Sequence, residues 1–213
     1  MHAPDALLLL TPGCPHCPVV LQGLSELVKD GAIGRLEAVN IARHPEVARE
    51  LGVRSVPWIR IGEFELEGLH LPAELREWAA RAGTPEGLAA WFSEQIVTGR
   101  LARVTDYVRR HPEAMDVIIA MLGDPDTELN VEIGIGALME EFEGSALLRS
   151  HIEDLGRLTR HREARIRNDA CHYLSLTHDP AALPFAEALL DDPDPEVRET
   201  AAETIETLKS SAR

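Results

Sequence analysis

Cys14 and Cys17 stand on either side of Pro15 and His16 in the stretch TPGCPHCPVV, residues 11–20. Two thiols at that spacing can close a disulfide, supply half of a metal site, or pack as small core residues. The prolines and glycine beside them favour an exposed turn over core packing. A structural zinc site needs about four ligands, and no second CxxC or clustered histidine pair supplies the other two. His2, His44, His111, His151, His161, His172 and His178 are spread along the chain without ligand spacing and read as caps and surface residues. No metal and no cofactor is therefore expected. An iron–sulfur centre shared between molecules is the weaker alternative.

The flanking pattern sharpens the chemistry. ALLLL (6–10) is short, apolar and ends at Thr-Pro-Gly, as a buried parallel strand does. From Val19 to Lys29 the apolar residues Val20, Leu24, Leu27 and Val28 fall at helical spacing, ending at Asp30-Gly31. Cys14 then sits at a helix amino terminus, where unpaired N–H groups and the positive end of the dipole favour a thiolate. Cys17, one turn further in, is placed to be recessed. An exposed attacker and a shielded resolver is the division of labour of thiol–disulfide exchange. His16 adds a donor or positive charge between them.

Further along, RLEAVNI (35–41) reads as a second strand and HPEVARELG (44–52) as a short helix. VPWIRIG (56–62) and EFELEG (63–68) form a hairpin, and a last helix starts at Pro72. The predicted order is β-α-β-α-β-β-α, an α/β unit. GTPEG (83–87) marks the boundary, giving domains 1–83 and 84–213. After it strand signals stop and short helices follow, broken at His-Pro, Asp-Pro and Gly. A phrase recurs there: DPDPEVRETAAETIETL (192–208) has echoes at HREARIRNDACHYLSLT (161–177) and DPDTELNVEIGIGALME (124–140). Val197, Ile166 and Leu129 align, then Ala201, Ala170 and Ile133, then Ile205, Leu174 and Ala137. The Asp-Pro turn with V-R-x-x-A resembles HEAT repeats, an all-α solenoid of stacked helix pairs. In that register Cys171 lies on the buried side as a small core residue. Asp192 or Asp194 caps the last helix, with Pro195 in its first turn.

TPGCPHCP, followed about forty residues later by GVRSVPWIRIG, resembles the thioredoxin superfamily over residues 5–82, nearest to glutaredoxin-like thioredoxins and protein disulfide oxidoreductase units. The resemblance implies a cis Val56–Pro57 peptide facing the CxxC, with Val56 backbone groups open to an extended substrate beside Cys14. It also places Gly68, with Leu69 and His70, along the same groove. Two departures point away from thioredoxin proper: Gly13 replaces the tryptophan before the first cysteine, and Leu8 replaces the buried acid of the preceding strand.

The formal charge of −15 argues against a nucleic-acid partner. The basic stretch RHREARIR (160–167) reads as a solvated helix face paired i to i+4. Aromatics at 4% favour aliphatic helix packing. No stretch is long and apolar enough to span a membrane. MHAPDALLLLTPG has no export signal, so the cytoplasm is the expected location. Two functions compete. One is a thiol–disulfide oxidoreductase acting on a protein disulfide or dithiol, whose helical domain recruits a protein partner. The other is a redox-sensing adaptor in which the solenoid binds and the cysteine pair switches it.

Overall fold

The chain divides into two compact units, Met1–Trp91 and Phe92–Arg213. A computed structural model describes residues 3–211; His2 lies outside them.

The first unit follows the predicted order. β1 (Asp5–Leu10), α1 (Cys17–Lys29), β2 (Arg35–Asn40), α2 (Pro45–Glu50), β3 (Trp58–Ile61), β4 (Phe64–Glu67) and α3 (Pro72–Arg81) succeed one another. The strands form one mixed sheet, β2-β1-β3-β4. β1 runs parallel to β2, as a helical crossover requires, and β3 antiparallel to both β1 and β4. Gly62, at φ +56, makes the tight turn of the β3–β4 hairpin, a backbone that favours glycine. The four leucines Leu7–Leu10 suit a strand covered on both faces. Leu7 and Leu9 pack with Trp58 and with Ala48 of α2, while alternation turns the fully buried Leu8 the other way. α1 and α3 pack together at Gly23, where a Cβ would stand 3.1 Å from Leu75 and 3.3 Å from Pro72. Trp58 is buried, as its apolar surroundings require. Trp91, in α4 (Pro85–Val97), donates its indole N–H to the Glu65 carbonyl at 3.0 Å.

The second unit is helical. After the end of α4 come α5 (Leu101–Arg110), α6 (Met115–Leu122), α7 (Leu129–Glu141), α8 (Ala146–Ser150), α9 (Ile152–Leu158), α10 (Ala164–Ser175), α11 (Leu183–Glu187) and α12 (Pro195–Ser211). The fold class is thus α/β followed by all-α. Side chains start several of the helical segments, Asp179 capping the 3-10 turn Pro180–Ala182 that leads into α11. Asp179 accepts the Ala181 N–H, Ser145 that of Leu148, and Asp194 that of Glu196 at the head of α12. Small residues let α10, α11 and α12 approach: Cys171, Ala186, Val197 and Ala201 share one core cluster.

The two later repeat copies keep the expected phase. Ile166, Ala170 and Leu174 are buried on α10, and Val197 and Ala201 on α12. The first copy does not. Leu129 and Ile133 are 69% and 67% exposed, and Ala137 is exposed with them, whereas Val131, Ile135, Leu138 and Met139 are buried. The core register of α7 is therefore shifted by two residues from the sequence alignment. The cause is the turn before it. Thr127 stands where Pro195 opens α12, and its hydroxyl donates to the Met121 carbonyl while its N–H goes to Asp124, delaying the helix until Leu129.

The basic stretch also departs from expectation. Arg167 is not part of a solvated face: it is buried against Asp192, with side chains 11% and 5% exposed. Arg165 pairs with Glu132 of α7. These pairs tie helix to helix rather than joining neighbours on one helix. Asp192 is consequently a clamp, and Asp194 alone is the cap.

Candidate functional site

β1 delivers the chain to the turn Thr11–His16, and α1 begins at Cys17 with His16 at its N-cap. Cys14 donates its N–H back to the Thr11 carbonyl at 3.3 Å, which closes the turn. Cys14 and Cys17 are joined in a disulfide, with Cα atoms 5.5 Å apart. Cys17 is buried at 4% exposure, while Cys14 is half-buried and Pro15 and His16 are exposed. An incoming sulfur therefore meets Cys14 first.

The first-turn geometry bears directly on that sulfur. The Cys17 N–H donates to Cys14 Sγ at 3.1 Å, so one of the orphan amides of the helix end is spent on the cysteine. No acidic residue stands in the first turn of α1 to offset the positive end of the dipole. His16 makes no side-chain capping bond and points its ring into solvent, leaving that end to the cysteine.

Opposite the pair, the Val56–Pro57 peptide is cis, and the Val56 carbonyl oxygen lies 3.7 Å from Cys14 Sγ. Gly68 is joined to the same locus: its N–H donates to the Pro57 carbonyl at 2.9 Å. That bond occupies the Gly68 N–H. Gly68 itself has a φ of +89, a backbone that favours glycine. Beyond it, Leu69 and Leu71 are exposed, and the His70 imidazole lies 3.5 Å from the Glu74 carboxylate. Cys14, Cys17, Val56, Pro57 and Gly68 thus come together from three separate stretches of sequence. Pro15 and His16, between the two cysteines, are exposed.

With this geometry in place, the comparisons are direct. Residues 6–80 match the thioredoxin domain family model. The first unit is a thioredoxin-like domain. Residues 143–211 match the HEAT repeats model, so the chain carries HEAT-like repeats behind its thioredoxin-like domain. A search of the curated proteins finds no match. The thioredoxin-like domain brings a redox-type cysteine pair, and the repeats bring a surface of stacked helices. No helix among the described residues is long and apolar enough to cross a membrane.

The third cysteine is chemically separate. Cys171 is fully buried on α10, with its sulfur 3.6 Å from the Thr204 hydroxyl, and burial pushes its thiol up from the ordinary range. One histidine holds a cap position, as expected, but not an exposed one: His151 stands at the C-cap of α8 and the N-cap of α9. His151 is 9% exposed, with Nδ1 2.8 Å from the Leu147 carbonyl and Nε2 3.2 Å from Asp116. Asp116, His151 and Asp154 bring donor atoms within 4.8 Å of one another across α6 and α9. Asp154 is held by Arg157 and Asp116 by His151, so both carboxylates already have a partner. Sequence spacing could not bring Asp116 into this group, since it stands on α6, 35 residues before His151 at the head of α9.

Proposed function

We propose that the protein is a thiol–disulfide oxidoreductase acting on protein disulfides or dithiols. The observation that carries this reading is the asymmetric pair: a half-exposed Cys14 receiving a helix-end N–H, disulfide-bonded to a buried Cys17. In the reduced form the Cys14 thiolate attacks one sulfur of a substrate disulfide. A mixed disulfide forms, and the other substrate sulfur leaves as a thiolate that takes up a proton. The Cys17 thiolate then attacks Cys14 Sγ, the mixed disulfide breaks, and the second substrate thiolate departs. Two electrons have passed from the dithiol to the substrate, and the Cys14–Cys17 disulfide remains. The same steps in reverse oxidise a substrate dithiol.

The helix-end N–H stabilises negative charge on Cys14 both when it attacks and when it leaves, so it assists both directions. The Val56 backbone beside Cys14 is suited to pair with an extended substrate segment, and Gly68 leaves room for it. His16, exposed next to the pair, is suited to exchange protons with departing thiolates. A dithiol reductant would return the pair to its reduced form. The repeats supply a protein-binding surface in this reading.

The test is turnover of a model protein disulfide with a dithiol reductant. Cys14→Ser is expected to abolish it, and Cys17→Ser to accumulate a covalent complex through Cys14. If Cys17→Ser kept full turnover, the two-cysteine mechanism would be wrong.

A further inference from the structure

Helix α7 is apolar on two faces. Val131, Ile135, Leu138 and Met139 form its buried side, and Leu129, Ile133 and Ala137, at i, i+4 and i+8, form an exposed stripe. A helix apolar all round belongs inside a protein, yet the leucine and isoleucine here are about two-thirds exposed. Val97, at the end of α4, is also 53% exposed. Its neighbour Ile96 packs against Gly134 of α7 so closely that a Cβ there has no room. Large apolar side chains gathered in this way mark a surface that another chain covers.

The charges carried by the segment itself are of one sign, and only some of them are met by basic side chains from other helices. From Asp124 to Leu148 there are seven acidic residues and no Lys or Arg. Glu132, Glu141 and Glu143 are answered by Arg165, Arg109 and His178. Asp124, Asp126, Glu128 and Glu140 are exposed and make no ion pair among the described residues. Across residues 92–213 there are 24 acidic against 13 basic residues. An apolar stripe at helical spacing, flanked by unanswered carboxylates, is complementary to an amphipathic segment with a basic polar face.

We infer that the exposed face of α7 is the docking surface for a basic amphipathic helical segment of a partner protein. This rests on the reading of the helical unit as the partner-recruiting part, and it names the surface and the partner's chemistry. The stripe lies outside residues 143–211, the part that matches the repeat family.

The test uses the full chain and two labelled helical peptides with the same leucine face, one bearing lysines and one glutamates on its polar side. Fluorescence anisotropy at physiological salt is expected to show the lysine peptide binding at least about tenfold more tightly than the glutamate peptide. The variant Leu129→Gln/Ile133→Gln, which leaves every charge in place, is expected to weaken lysine-peptide binding about tenfold or more. Ala137→Lys, which puts a repelling charge into the stripe, should act in the same direction. Unchanged lysine-peptide binding in both variants would mean general charge attraction and overturn the proposal, as would equal binding of the two peptides or binding of neither. A wild-type dimer in sedimentation that the double glutamine variant converts to monomer would overturn it in favour of a second copy. Disulfide turnover, measured on the same proteins, should be equal in wild type and variants. Its absence from all of them would sink the oxidoreductase reading while leaving the peptide result intact.

Discussion

Replacing Asp192 with asparagine removes one charge from a clamp that holds α10 to the turn before α12. Both Asp192 carboxylate oxygens accept from Arg167, at 2.7 Å from Nε and from Nη2, and Oδ1 also accepts the Asp194 N–H at 2.9 Å. With side chains only 5% and 11% exposed, the two charges have left most of their water behind. Removing one partner of such a pair costs about 3–5 kcal/mol, because the other is left buried and uncompensated. Arg167 keeps the His161 and Arg162 carbonyls, and asparagine keeps one acceptor oxygen. The expected loss is therefore at the low end, about 3 kcal/mol. Urea unfolding followed by far-ultraviolet circular dichroism, which the helical unit dominates, should show an earlier midpoint with an unchanged slope. All three tryptophans lie in the first unit, so their fluorescence follows that unit separately. Acid provides a second arm. The hydrogen-bonded Arg167 guanidinium holds the Asp192 carboxyl below the usual carboxylate range, so the folded state binds that proton more weakly than the unfolded chain. This contribution is fully present above the unfolded pKa, near pH 4, and is lost as the pH falls through the lowered folded value. The wild-type advantage over Asp192→Asn should shrink below about pH 4. A loss under about 1 kcal/mol at neutral pH, or a gap that does not narrow in acid, would refute the clamp.

Cys171 should behave as a core residue: in a Cys14→Ser/Cys17→Ser protein, a thiol reagent should find it about a hundredfold or more slower in the native state than in urea. Rapid native labelling would show that α10 opens locally. Gly134→Ala should cost about 1–3 kcal/mol in urea unfolding, since its Cβ would strike Ile96 Cγ2. A neutral result would mean that the end of α4 yields freely. Fragments of the Cys17→Ser trapped complex, separated under non-reducing conditions, should carry the substrate on Cys14 alone; a linkage through Cys171 would contradict its burial.

The parts legible in the sequence are those fixed by local pattern. ALLLL had to be a buried strand, and a CxxC directly after it had to open a helix. The order of the first unit follows from those two points and the hairpin turn at Gly62. The convergence of Cys14, Val56, Pro57 and Gly68 spans more than fifty residues and was reached only through the family resemblance. In the helical unit, what failed was phase and long-range pairing. Every residue of the first repeat copy could be aligned by its Asp-Pro heading. Whether α7 starts on the same count after that heading depends on one hydroxyl, that of Thr127, bonding the preceding helix. Because α7 is apolar on both faces, a two-residue slip produced an equally plausible core. The burial of Arg167 and of His151 escapes the sequence for a related reason: their partners Asp192 and Asp116 are 25 and 35 residues away, and periodicity on one helix carries no information about them.

The two units also differ in how they can discriminate between partners. Around Cys14 the groups within reach are largely main chain, the Cys17 amide and the Val56 carbonyl, with glycine at position 68. Main-chain groups recognise an extended strand whatever its side chains, so on the proposed function the Val56 backbone would favour breadth. The exposed stripe and unanswered carboxylates of α7 are side-chain features, and these reject a partner whose polar face carries the wrong sign. If both proposals hold, a disulfide of broad reach on the same chain as a selective surface would gain selectivity through effective concentration. It follows that removing the stripe should leave turnover of a generic protein disulfide unchanged. It should slow turnover only for a substrate tethered to a basic amphipathic segment, and equal slowing of both substrates would break the argument.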